Sequence, residues 1–339
     1  MVQTTQIVLA SRPSGMPAEQ NFRTETVELP APGAGEALLQ TLYLSLDPYM
    51  RGRMSDAPSY APPVRIGQPM VGATVSRVLE STDPALAPGD TVLGYGGWRS
   101  HSVEPLRQLR KLDATVAPVT TALGVLGMPG FTAYSGLLTI GRPQPGETVV
   151  VAAATGPVGS AVGQIAKIKG AHTVGIAGGP KKVALLKDRF GFDIALDHRA
   201  PDFADRLAAA TPDGIDVYFE NVGGAVFDAV LPRLNPFARI PVCGLVADYN
   251  ATELPPGPDR LGRFMSTVLR KSLTVRGFIQ SEFAPDQFGD FLSEMGGWIR
   301  DGRVHYLEDI VDGLEHAVEA FGGLLVGKNL GKLIVEVAD

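Results

Sequence analysis

The feature that most constrains the fold is the run Val149-Val-Val-Ala-Ala-Ala-Thr-Gly156-Pro-Val-Gly159-Ser-Ala-Val-Gly163-Gln-Ile-Ala-Lys167. It opens with a continuous apolar stretch too short for a helix, passes a glycine turn and continues with helical spacing. A strand that apolar, with no alternation, is buried on both faces, as strands are in a parallel sheet covered by helices. The same rhythm repeats downstream. Strands are expected at Thr148–Ala153, Thr173–Ala177, Ile194–Leu196, Val217–Glu220, Arg239–Gly244 and Thr274–Ile279, with helices at 163–169, 183–190, 202–210 and 225–234. About six strands with intervening helices predict an α/β, doubly wound parallel sheet over residues 126–304.

Residues 1–125 read differently. Short runs at Gln6–Leu9, Glu36–Leu46, Met70–Leu79 and Thr91–Gly94 are separated by Pro30-Ala-Pro-Gly33, Pro58–Pro63 and Ala87-Pro-Gly-Asp90, which insert proline and glycine where a strand must turn. This half is expected to be a mostly antiparallel, barrel-like β domain. The last segment, from about residue 305, reads as a helix over Asp309–Phe321 and a strand over Gly331–Val337 that rejoins the first domain.

Composition narrows the partners. Thirty Lys and Arg against 36 Asp and Glu give a net charge of −6 without any basic block, which argues against nucleic acid. Apolar stretches fall short of the ~18 residues of a membrane span, and the first residues show no secretory pattern, so a soluble, cytoplasmic protein is expected. Cys243 is the only cysteine, which excludes an intrachain disulfide and a thiolate-rich zinc site.

The glycine turn is where chemistry enters. A tight turn between strand and helix brings backbone N–H groups and the positive end of the helix dipole to one point, a natural seat for a pyrophosphate. The first glycine of the G-x-G-x-x-G fingerprint is replaced by Ala154, so an ordinary strand-to-helix turn is the competing reading; the βαβ context favours a dinucleotide. At the tip of the second strand an NAD site would present a carboxylate. Here it reads Ala177-Gly178-Gly179-Pro180-Lys181-Lys182, without an acid and with two lysines. NADP(H) is therefore expected, with Lys182 at the 2′-phosphate, a solvated helix start being the alternative.

Hydride transfer also needs charge stabilisation on the substrate, often by zinc. The five histidines, His101, His172, His198, His305 and His316, lack metal spacing, so hydroxyls and backbone donors must serve.

The motifs Leu46-Asp-Pro-Tyr-Met-Arg51, Gly127–Tyr134, Ala153–Gly159, Glu220-Asn-Val-Gly-Gly224 and Gly327-Lys-Asn-Leu-Gly-Lys332, together with Pro241–Val246 and Tyr249–Arg260, span the chain. They resemble the zinc-free medium-chain dehydrogenase/reductases, in the prostaglandin reductase and alkenal double-bond reductase group, towards its bacterial NADPH-dependent curcumin reductases. Where zinc-dependent members carry Gly-His-Glu, this chain has Gly67-Gln-Pro69. The resemblance implies a GroES-like barrel, residues 1–125 completed by about 305–339, plus a Rossmann domain over 126–304, usually in a homodimer.

For the cofactor it implies Thr155, Gly156, Pro157, Val158 and Gly159 at the pyrophosphate and Gly178, Lys182 and His198 at the adenosine phosphate. His198 stands where relatives often carry a tyrosine. Asn221, Cys243, Gly244, Leu245, Phe278, Ile279, Gln280 and Asn329 would follow along the ribose and nicotinamide, although Asn221 also suits a strand-end turn. The implied reaction is reduction of the C=C bond of an α,β-unsaturated ketone or aldehyde. Tyr249, also near the cofactor, would stabilise the enolate, a loop aromatic being the competing reading. Tyr49, in the Pro-Tyr-Met-Arg stretch, is read as a second donor or wall, with packing against the barrel as the alternative. A zinc-free quinone reductase and a catalytically silent NADP-binding protein remain as alternatives.

Overall fold

The computed structural model describes residues 2–254 and 257–338. The chain divides into two units. One is Val125–Leu307; the other runs to Gly124 and resumes at Glu308.

In the Val125–Leu307 unit six parallel strands lie in the order Ile194–Asp197, His172–Ala177, Thr148–Val151, Ile215–Phe219, Leu234–Val242 and Thr274–Gly277. Numbered along the chain this is 3-2-1-4-5-6, and the order reverses between Thr148–Val151 and Ile215–Phe219. Ligands of such sheets bind outside the carboxyl ends of the strands at that reversal. The expected burial on both faces is present: Val149, Val151, Val217 and Phe219 join one core with Ala161, Val162 and Ile165, while Val150, Ala152, Ile176 and Tyr218 join the other. Each fully buried valine contributes on the order of 1.5–3 kcal/mol, so the two central strands anchor the unit.

The other unit is organised by Glu36–Ser45. Thr74–Ser81 pairs antiparallel along one edge, and two strands share the opposite edge: His101–Pro105 beside Glu36–Gln40, and Lys332–Glu336 beside Tyr43–Ser45. Thr91–Gly94 and Arg110–Lys111 extend the sheet beyond Thr74–Ser81, giving a barrel-like wrap. Inside lie Leu44, Leu46, Met50, Met54, Met70 and Leu333, with Trp98 stacked on Phe22 and edge-on to Phe321.

Two expectations in this unit are corrected. The helix expected over Asp309–Phe321 is a strand, Glu308–Asp312, followed by a helix that begins only at Ala317. The apolar spacing fits a helical face, but a five-residue parallel ladder to Lys332–Glu336 wins, and Gly313, at φ 85°, turns the chain away. The strand expected from Met70 begins at Thr74, because Met70 exchanges its backbone bonds with Ile7 and Trp98 instead. No helix among the described residues is long and apolar enough to cross a membrane.

Candidate active site

The Thr148–Val151 strand delivers the chain into a turn whose geometry is set by close backbone approach. Ala153 takes a left-handed φ of 49°, and Gly156 precedes a helix, Pro157–Ile168, with proline at its first position. There the missing N–H costs nothing, because the first-turn amides have no partner inside the helix. A Cβ on Gly159 would stand 2.5 Å from the Ala153 carbonyl oxygen and 2.7 Å from the Ala154 Cα, so only glycine closes this turn. Thr155 is buried beneath it. The turn leads into a helix N-terminus, where the first-turn amides have no partner inside the helix and the dipole favours an anion, so a pyrophosphate suits it.

Beyond the His172–Ala177 strand, Gly179 turns at φ 91° into the helix Pro180–Asp188, whose first turn carries half-buried Lys182. Besides the two lysines, Arg199 stands here, a cation the sequence reading missed. His198 Nε2 and Arg199 Nε each lie 2.9 Å from where a Cβ on Gly178 would be, so both side chains fold over that glycine. Asp197 is engaged by backbone, accepting from the amides of Gly179 and Arg199 at 2.9 Å each. Partial burial, then the Arg199 charge and more weakly that of Lys182, hold His198 below its ordinary pKa against the pull of Asp197. Lys182 and Arg199 thus put two cations at the tip, with the His198 imidazole beside them as a neutral hydrogen-bonding group, the kind of partner a 2′-phosphate requires. The signal for Arg199 was its place just after the third strand, which neighbours the second in a 3-2-1 order.

On the other side of the reversal, the Ile215–Phe219 strand ends in Glu220, buried at 2% exposure. Its Oε1 accepts from the Tyr218 hydroxyl at 3.0 Å and from the amides of Val222 and Gly223 at 2.6 and 2.9 Å, while Oε2 is buried without a hydrogen-bond partner. Burial outweighs these bonds and raises the carboxyl pKa. Glu220 therefore fixes the Asn221–Gly224 turn. Asn221 donates Nδ2–H to the Ala152 carbonyl at 2.8 Å, tying the ends of the two central strands together, and its own carbonyl accepts from Val246.

An open pocket of about 440 Å³ lies beside this turn, lined by Val242, Cys243, Gly244, Leu245, Tyr249, Gly277, Phe278, Ile279 and Glu282. It brings together six of the residues singled out from the sequence. The short turn Val246–Asp248 folds Tyr249 back so that its hydroxyl lies 3.1 Å from the Cβ position of Gly244. Phe278 contributes to the wall, but its ring is buried between Gly136, Phe219 and Phe283. Gln280 begins the adjoining turn. Burial, reinforced by Glu220, pushes the Cys243 thiol up to about 12, so at neutral pH it is a protonated wall group. Tyr49 and Asn329 belong to the other unit, Tyr49 at the start of the Met50–Arg53 helical turn and Asn329 donating to the Gly331 carbonyl at 2.8 Å.

Residues 5–112 match a family described as the N-terminal domain of oxidoreductase, and residues 157–296 one described as zinc-binding dehydrogenase. Along 98% of its length the chain is 58% identical to the NADPH-dependent curcumin reductase of Escherichia coli, covering 96% of that protein. It belongs to the prostaglandin reductase and alkenal double-bond reductase group of the medium-chain dehydrogenase/reductases. Rat prostaglandin reductase 1 is 41% identical over 99% of this chain and 100% of its own. The crystal structure of CurA from Vibrio vulnificus in complex with NADPH superposes with a TM-score of 0.95 at 52% identity, covering 99% of both chains.

The second family description names zinc, and the donor set of this reductase does not fit it. Cys243 is its sole cysteine, and among the described residues no group of three or more His, Cys, Asp or Glu side chains is placed to hold a metal ion.

Proposed function

We propose that the chain reduces the C=C bond of α,β-unsaturated ketones and aldehydes, curcumin-like enones included, with NADPH and without a metal. The observation that carries this reading is the pocket in which the Tyr249 hydroxyl faces the strand-end backbone at Gly244, at the carboxyl side of the sheet where a dinucleotide's reactive end belongs. The names of the relatives support the substrate class.

Gly156–Gly159 hold the pyrophosphate, and Lys182, His198 and Arg199 take the 2′-phosphate. Asn221, Cys243–Leu245, Phe278–Gln280 and Asn329 serve the ribose and nicotinamide. Bound NADPH supplies hydride to the substrate's β-carbon. Tyr249 donates a hydrogen bond to the carbonyl oxygen as negative charge grows there, and Tyr49 is the second donor or wall. Cys243, kept as a thiol, does not compete for the same electrophilic β-carbon, because the thiolate is the nucleophile.

The enzyme is further proposed to be a cytoplasmic homodimer. The edge strand Thr274–Gly277 is exposed along its whole length, and Leu261, Met265 and Leu269 form an exposed apolar stripe on the neighbouring helix. Sedimentation at micromolar concentration reads the mass, and a monomer would end that part of the proposal.

The test of the activity is NADPH oxidation with an alkenal, an enone such as curcumin and a quinone, each with and without chelator. Turnover of alkenal and enone that survives chelation supports the proposal. Turnover of the quinone alone points to a quinone reductase, and cofactor binding without turnover to a silent binder.

A further inference from the structure

Two motifs from opposite ends of the sequence meet in a buried ion pair that the reaction as described does not use. Lys332, 2% exposed, donates from Nζ to the Leu46 carbonyl at 2.6 Å and to Asp47 Oδ1 at 2.9 Å. Asp47, 5% exposed, accepts from the Ser45 hydroxyl on its other oxygen. A second carboxyl, Glu308, stands opposite Lys332 in the parallel ladder, but its Oε1 is buried without a partner and burial raises its pKa. The lysine's hydrogen bonds go to the Asp47 turn, and Glu308 acts on it through charge.

Such a pair does little for stability as such, since desolvating two charges offsets their attraction; its use is to specify one geometry. The geometry at stake is local. Residues 46–49 leave the strand Glu36–Ser45 and enter the helical turn Met50–Arg53, with the Met50 amide on the Asp47 carbonyl and the Arg51 amide on the Pro48 carbonyl. Tyr49 lies inside that turn, two residues from the pair. Burial, and then the charge of the Asp47 carboxylate, push its hydroxyl well above its ordinary pKa.

We propose that Lys332 and Asp47 are positioning residues that lock the 46–50 turn and so hold Tyr49 in the orientation used towards substrate. This rests on the reading of Tyr49 as a substrate-facing group. Lys332 touches no reacting atom; it acts through Asp47 and the Leu46 carbonyl.

The test uses the full-length enzyme labelled with 3-fluorotyrosine, the Tyr49 resonance being identified as the one lost in Tyr49→Phe. The double variant Asp47→Asn with Lys332→Met removes both charges of the pair together and keeps side chains of similar size. We expect the Tyr49 resonance to shift or broaden while that of Tyr218, in the other unit, stays in place. For enone reduction kcat should fall about tenfold with KM for NADPH unchanged, and adding Tyr49→Phe should bring no further loss. An unmoved Tyr49 resonance overturns the proposal, as do losses that multiply in the combined variant. If Tyr49→Phe alone is silent while the resonance still moves, the substrate role of Tyr49 fails and its positioning by the pair stands. Should the double variant not fold, Ser45→Ala, which removes one bond on Asp47, must still move the resonance; no movement there overturns the proposal equally.

Discussion

Gly159 and Ala153 are packed so closely that a Cβ on the glycine would stand 2.5 Å from the alanine's carbonyl oxygen. Gly159→Ala should therefore force the turn open. We expect at least a tenfold loss of NADPH affinity by fluorescence titration and a stability loss of about 1–3 kcal/mol in urea denaturation, the range for overpacking. An NADPH Kd within twofold of the parent would remove the turn from the cofactor site.

The patch at the second-strand tip should set cofactor choice. Lys182→Ala and Arg199→Ala are each expected to weaken NADPH by about 1.5–3 kcal/mol, the range for charge-assisted hydrogen bonds, and to leave NADH nearly unchanged. Isothermal titration with both cofactors decides it. Equal losses for NADPH and NADH would show that these cations do not meet the 2′-phosphate.

Tyr249→Phe keeps the ring in the pocket and removes the donor. Enone turnover should fall roughly tenfold to a thousandfold with NADPH affinity unchanged, the upper end matching loss of one oxyanion donor. Turnover within twofold, with hydride transfer rate-limiting in both proteins, would assign Tyr249 to the loop and move the role to Tyr49.

Glu220 gives a pH dependence with a definite sign. Its folded-state pKa is raised above 4.5, so the unfolded chain releases this proton more readily. Its contribution is fully present below pH 4.5 and is lost as pH rises through the folded value. The stability of the parent relative to Glu220→Gln, from urea denaturation between pH 4 and 8, should decline as pH rises. A flat or rising difference would mean that the carboxylate ionises at no cost.

How much was legible depended on whether the information was local. The apolar run at Val149–Val151 and the glycines after it state the parallel sheet and the dinucleotide turn within twenty residues, because burial on both faces and a backbone close approach each restrict residue type directly. The place of Lys182 in the first turn after the second strand was legible for the same reason. Arg199 was not, since its approach to Gly178 exists only once the third strand is laid beside the second. Asp309–Asp312 was read as helix because the identity of the strand Glu308–Asp312 comes from a ladder to residues twenty-four positions on. Glu220 was seen as part of a motif, yet its anchoring role needed Tyr218 on the same face and two amides of the following turn. The Lys332–Asp47 pair joins positions 285 apart, and nothing in either motif announces the other.

The central claim is that hydride reaches the β-carbon of an enone. NADPH deuterated at C4 of the nicotinamide, incubated with the enzyme and an aryl enone in ordinary water, tests it in one NMR spectrum of the product. The account predicts a saturated ketone carrying one deuterium at the β-carbon and a solvent proton at the α-carbon. An allylic alcohol with deuterium on the carbinol carbon, or a saturated ketone without deuterium at the β-carbon, would contradict it.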